Sequence, residues 1–240
     1  MKKEFMSLFK SRKPVIGVLH LKGDTEKDIR ERAKREIDRY LEGGLDGIIA
    51  EDYFGPYPQL EWVLDYLQKQ KIPIPYGVNC LNFDSLCFLL ARKYHCAFLQ
   101  LDSVIGHVKP RDEASMQAFL ELERNQTEAL VLGGVRFKYQ PVLSEKTLEE
   151  DLLEAKNRCD AVCVTGDGTG HQTPMEKLKE FRRVLGDFPL VICSGLNEDN
   201  CAEQLQIADA AIAGSFFKDT GRDTGEVDLG KIRRLMNRLR

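Results

Sequence analysis

A set of polar and charged residues in this chain sits at, or just past, the ends of short apolar runs: His20, Glu51, Asp52, Asn79, Asp102, Arg136, Lys138, Thr165, Asp167, His171, Ser194 and Ser215. Their types cover proton transfer, cation stabilisation and anion binding. His20 titrates near neutral pH and suits a general acid or base; a hydrogen-bonded core histidine is the equal alternative. Glu51 and Asp52 are adjacent, so on a strand one faces inward while the other turns away to cap a loop. Asp102 suits a base, a metal ligand or a carboxylate tied to loop amides. Lys138 could neutralise an anion, polarise a carbonyl or form a Schiff base. Pairing with Asp102 or Glu51 is its plain structural alternative. His171 closes the stretch TGDGTGH and would act only when that loop folds over a ligand, while His95 reads as structural. Asp102, Glu51 or Asp52 with Asn79 would suit a hard ion such as Mg²⁺, though without tight ligand spacing. No Cys/His cluster suits zinc.

A second kind of chemistry lies in residues 189–218, PLVICSGLNEDNCAEQLQIADAAIAGSFFK. An apolar strand over 190–193 breaks at Ser194-Gly195. Asn197 is placed to cap a helix with Glu198 and Asp199 in its first turn. A further strand over 209–213 ends at Gly214-Ser215. Two parallel strands ending in small-residue turns bring backbone N–H groups to one rim, where glycine allows close approach of a phosphate.

The elements that must position these residues alternate along the chain. Strands are expected at 15–19, 47–50, 74–78, 97–101, within 129–138, and at 161–164, 190–193 and 209–213. Helices are expected at 26–42, 59–70, 84–94, 114–128, 148–157, 175–184 and 229–239, besides the one opened by Asn197. Alternating strands and helices imply a parallel sheet. Eight βα units in 240 residues predict one α/β domain over 1–240, a closed (β/α)₈ TIM barrel, with a doubly wound open sheet as the competing arrangement. Residues 103–112 form the longest connection and read as a lid. The third helix is unusually apolar, which suggests a homo-oligomer contact. The segment MKKEFMSLFKSRK reads as a short amphipathic piece plugging the barrel floor rather than touching a membrane.

Composition narrows the classes. Net charge is −3, which argues against a general nucleic-acid binder. The seven cysteines contain no CxxC pair and fit a reducing, cytoplasmic setting. No apolar run is long enough to span a bilayer.

VIGVLHL, GGLDGIIAEDYFGPYP, PYGVNCLNFDS, DAVCVTGDGTG, VICSGLNEDN and ADAAIAGSFFKDTG run in order through nearly the whole chain. Together they resemble the BtpA/SgcQ family, which is similar to phosphate-binding barrels of the ribulose-phosphate kind. The resemblance carries Glu51, Asn79, Asp84, Lys138, Thr165, Gly166, Ser194, Gly195, Gly214 and Ser215 onto the rim. It implies a ligand site there and no defined reaction. This chain departs from the pattern on the fifth strand, where Gly134 replaces an acid and Tyr139 a histidine. Two functions follow. One is an enzyme on a phosphorylated small molecule, a sugar phosphate or nucleotide, with Glu51, Asp102, Lys138 and His20 as catalytic groups. Isomerisation, aldol-type cleavage and glycosidic hydrolysis all stay open. Its ligand would be bound by Asn79, Thr165, Gly166, Ser194, Gly195, Gly214 and Ser215. The other is a non-enzymatic assembly or regulatory factor of the BtpA type, with the apolar third helix or the basic last helix as its partner surface.

Overall fold

A computed structural model describes residues 4–81, 83–105, 113–143 and 145–240. Eight strands alternate with eight helices: β1 (Val15–Leu19), α1 (Glu26–Gly43), β2 (Gly47–Glu51), α2 (Tyr57–Gln70), β3 (Tyr76–Asn79), α3 (Asp84–Lys93), β4 (Phe98–Leu101), α4 (Glu113–Arg124), β5 (Leu130–Gly134), α5 (Leu148–Arg158), β6 (Ala161–Val164), α6 (Met175–Leu185), β7 (Leu190–Ile192), α7 (Cys201–Ile207), β8 (Ala210–Ala213) and α8 (Leu229–Leu239). Each strand pairs in parallel with the next, and β8 returns to β1 through Ile16↔Ile212, closing the barrel.

The strands are continuous apolar runs because both faces are buried. One set of alternate residues (Val15, Leu19, Ile48, Ala50, Val78, Leu99, Val162, Ile192) packs under the helices. The other set (Ile16, Val18, Ile49, Phe98, Leu130, Leu132, Cys163, Val191, Ile212) fills the barrel axis. Phe5, on a 3₁₀ turn over Phe5–Leu8, is fully buried in that axial cluster, and Phe9 lies 6.5 Å from the Phe98 ring. The N-terminal segment is therefore a plug for the floor.

Local signals set most helix ends. Thr25 caps α1, and Gly44 at φ +78° stops it. Thr147 and Glu150 form a reciprocal capping box on α5, and Asp228 accepts from Gly230 and Lys231 to open α8. On α8, Ile232, Leu235 and Met236 are buried while Arg233 and Arg234 pair outward with Glu42 and Glu198, so its basic face is ordinary surface. Most of the apolar α3 is likewise inside: Cys87, Phe88, Leu90 and Ala91 pack on the barrel, leaving Phe83 and Leu89 exposed.

Two expectations need correction. Helix α7 starts at Cys201 with Asn200 as N-cap; Asn197 instead folds a turn ahead of it, its carboxamide oxygen accepting the N–H groups of Asp199 and Asn200. Strand β5 ends at Gly134, so Arg136 and Lys138 lie on the following loop, where Arg136 and Tyr139 take positive φ. Of the expected lid, residues 106–112 lie outside the described residues. Its described start is packed, with Val104 and Ile105 fully buried.

Replacing Phe5 with Ala should lower stability by about 3 kcal/mol, the low end for a buried phenylalanine because a terminal arm can detach. Urea unfolding midpoints check this.

Candidate active site at the C-terminal rim

Inward-facing positions that continue past the axial core open into a cavity of about 410 Å³ at the C-terminal ends of the strands. Val18, Ile49, Cys193 and Ile212 form the apolar part of its floor. His20, Glu51, Asn79, Gln100 and Asp102 form the polar part, and Lys138, Tyr53, Tyr139, Gly195, Gly214 and Ser215 stand around it.

His20 is buried, with its Nε2 3.8 Å from Glu51 Oε2 and its Nδ1 without a hydrogen-bond partner among the described residues. Burial, reinforced by the charges of Lys218, Lys138 and Arg32, lowers its pKa from 6.5 to about 3, so the imidazole is neutral at pH 7. Burial acts the other way on Glu51, raising its pKa from 4.5 to about 7. Lys138 pulls it back, and Asp102, Asp52 and Asp223 add to the rise. A carboxyl poised near neutrality can both take and return a proton.

Asp102, also raised by burial, accepts from Asn79 Nδ2 at 3.2 Å and Gln100 Nε2 at 3.4 Å. Asn79 is buried and its Oδ1 has no donor among the described residues. Asp52 points away, as its neighbour's inward position requires, and accepts the Leu81 N–H at 2.9 Å. The acid missing from β5 has a steric reason: a Cβ on Gly134 would lie 2.1 Å from the Asp102 carbonyl oxygen. Lys138 makes no ion pair among the described residues; its charge acts on Glu51 and Asp102 across the cavity. Among the described residues no three acid, His or Cys side chains converge as a metal-binding group.

The loops after β6, β7 and β8 are tied to each other. Ser194 Oγ accepts the Gly166 N–H at 2.7 Å and donates to the His171 carbonyl at 2.9 Å. Thr165 Oγ1 accepts the Lys138 N–H at 2.7 Å. Asn200 Nδ2 donates to the Gly195 carbonyl at 2.9 Å. By contrast, the backbone N–H groups of Gly195, Gly214 and Ser215 donate to no group among the described residues. Gly214 lies close against the imidazole, since a Cβ there would sit 2.9 Å from His20 Cε1. Beyond it, buried Lys218 pairs with Glu36, which also accepts from Arg32 Nε at 3.1 Å, anchoring the loop after β8 to α1.

Of the residues singled out in the sequence, the cavity brings together His20, Glu51, Asn79, Asp102, Lys138, Ser194, Gly195, Gly214 and Ser215. Thr165 and Gly166 lie behind it as loop supports. Arg136 is turned to Asp151 at 2.9 Å, and His171 and His95 are exposed and outside the cavity. Gln100, Tyr53 and Tyr139 were not picked out. Gln100 was findable, because it stands on β4 two residues before Asp102, which follows directly on that strand.

The model of the BtpA family matches residues 11–240. The chain is 26% identical over 251 residues to the photosystem I biogenesis protein BtpA of Synechocystis, covering 94% of this chain and 87% of that one. Among solved structures it resembles a thiamine phosphate pyrophosphorylase from Pyrococcus furiosus (16% identity, TM-score 0.63, 95% of each chain covered). It also resembles a phosphoribosyl anthranilate isomerase from Thermus thermophilus (13% identity, TM-score 0.63, 94% and 98% covered). These two likenesses show the shared barrel fold.

The two shifted groups give opposite pH signatures. The unfolded chain protonates His20 below pH 6.5 and the folded chain only below about 3, so this stability is present above 6.5 and lost as pH falls toward 3. Folded Glu51 holds its proton to about pH 7 against 4.5 unfolded, so its contribution is lost as pH rises from 4.5 to 7. His20→Asn should therefore flatten the acid limb by on the order of a few kcal/mol, and Glu51→Gln should remove the loss on the neutral side. Denaturant unfolding across that pH range checks both signs.

Proposed function

We propose that this chain, which belongs to the BtpA family, binds a phosphorylated small molecule at the C-terminal rim and carries out acid/base chemistry on it. The observation that carries this reading is the trio Gly195, Gly214 and Ser215, which line one cavity after β7 and β8 and whose backbone N–H groups have no acceptor among the described residues. Backbone donors held by a rigid scaffold suit a phosphate, and in (β/α)₈ barrels this is the usual place for one. The names of the two structural neighbours include phosphorylated compounds, in keeping with this.

Binding of the phosphate positions the other end of the ligand against Glu51, His20 and Lys138. Glu51 is the group that takes a proton there and returns it. Neutral His20 beside it donates or relays a hydrogen bond, and Lys138 offsets negative charge that develops. No metal is needed for these roles, and Mg²⁺ has no assigned place in the reading. No helix among the described residues is long and apolar enough to cross a membrane, and we place the protein in the cytoplasm on its sequence composition.

A second reading is favoured by the Synechocystis relative, whose name is that of a photosystem biogenesis protein. In it the barrel is an assembly factor, with exposed Phe83 just ahead of α3, Leu89 on α3 and Leu122 on α4 as an apolar contact for a partner or a second copy.

Inorganic phosphate at ten times its Kd should stabilise the protein by about 1.4 kcal/mol, or ~3–5 °C in Tm. Ser215→Asp, which sets a carboxylate beside the amides, should abolish this shift, while the uncharged Ser215→Asn retains it. No shift at matched ionic strength, or an equal shift in Ser215→Asp, contradicts the phosphate site.

A further inference from the structure

The two sides of the cavity differ in what they offer a ligand. Around β7, β8 and β1 the cavity is lined by Gly195, Gly214 and Ser215, whose backbone N–H groups have no acceptor among the described residues, and by the apolar side chains of Val18, Cys193 and Ile212. Across the mouth, at the ends of β2 to β4, the exposed chemistry is acceptor-rich. Asn79 and Gln100 each donate one side-chain N–H to Asp102. That hydrogen bond fixes which way the Asn79 carboxamide points and leaves its buried Oδ1 with no donor among the described residues. The carboxyl groups of Glu51 and Asp102 lie beside it. A buried acceptor without a donor costs on the order of 1–3 kcal/mol, so this corner gains most from a ligand that brings N–H or O–H groups. The residues at the strand ends of this corner, Glu51, Asn79, Gln100 and Asp102, carry no aromatic ring. The rings that line the cavity, Tyr53, Phe137, Tyr139 and Phe216, come from loops beyond the strand ends.

We propose that the ligand is a sugar phosphate lying across the barrel mouth. Its phosphate sits on the Gly195, Gly214 and Ser215 amides, and its hydroxyls donate to Asn79 Oδ1 and to the Glu51 and Asp102 carboxyls. This rests on the phosphate reading above and goes beyond it by choosing a polyol over a nucleobase for the far end. Asn79 is then the specificity residue: it reads hydroxyl groups through an acceptor that Asp102 holds in place. Hydrogen-bond readers of this kind discriminate strongly, because a ligand lacking the donor leaves the acceptor buried and unpaired.

The test is titration calorimetry with four probes: inorganic phosphate, ribose 5-phosphate, glycerol 3-phosphate and adenosine monophosphate. The wild-type protein should bind ribose 5-phosphate at least ~10-fold more tightly than inorganic phosphate, the difference expected of one or two satisfied hydrogen bonds. Asn79→Leu should lose that advantage while keeping inorganic phosphate affinity within about twofold, which also reports that the variant is folded. Asn79→Asp keeps an acceptor at the same place and, protonated beside Asp102, a donor toward it; it should retain the preference. Three results would overturn the proposal while leaving the phosphate site intact. These are ribose 5-phosphate no tighter than inorganic phosphate, equal loss for both probes in Asn79→Leu, and tightest binding of adenosine monophosphate. A preference that appears only with added Mg²⁺ would assign the acceptors to a cation and overturn it too. Failure of every probe, inorganic phosphate included, would bring down the phosphate reading and this proposal together.

Discussion

Closure of the eight-stranded sheet is the constraint from which everything else in this molecule follows. Once β8 pairs with β1, alternate residues of every strand share one axis, and no strand edge is left to take a different course. Below, the shared space is filled by Ile16, Phe98, Leu130, Val191 and the plug residue Phe5. Above, the same geometry forces His20, Glu51, Asn79, Gln100 and Asp102 into one cavity. The site is thus the last inward layer of the barrel, not an addition to it.

That placement also sets the electrostatics. Taking ionisable groups out of water favours their neutral forms, which is why the histidine goes down and the glutamate goes up in the same cavity. Lys218 and Arg32 sharpen the effect on His20. They belong to the buried cluster around Glu36 that holds the loop after β8 against α1. One set of interactions therefore anchors the loop after β8 and helps keep the neighbouring imidazole uncharged. Ser194, Thr165 and Asn200 play the matching part in the loops after β6 and β7. By spending their own side chains on loop backbone, they tie these loops to one another and hold their shape.

Much of this was legible in the chain itself. Periodicity and glycine stops gave the alternating elements, with β1, β6 and α8 at their expected bounds. The rule that strand ends face one mouth collected Glu51, Asp102, His20 and the two small-residue turns, all of which line one cavity. What could not be read is physical in origin. Strand parity at Gln100 is available from sequence, but the hydrogen bonds that make it matter depend on β3 and β4 lying side by side. Arg136 looked like a rim residue until positive φ after β5 turned it toward Asp151. Gly134 looked like a lost acid, whereas the Asp102 backbone leaves room there for glycine only. Ser194 looked like a ligand group, and its hydroxyl proves to be shared between two loop backbone atoms. Such outcomes turn on contacts between segments far apart in sequence, which propensity and spacing do not encode.

The central claim is that the unpaired amides after β7 and β8 bind a phosphate group. Amide-resolved NMR during titration with inorganic phosphate addresses it most directly. The account predicts that the N–H resonances of Gly195, Gly214 and Ser215 move together along one saturable binding curve, with smaller shifts elsewhere. Resonances that stay in place, or shifts confined to other surfaces, would contradict it.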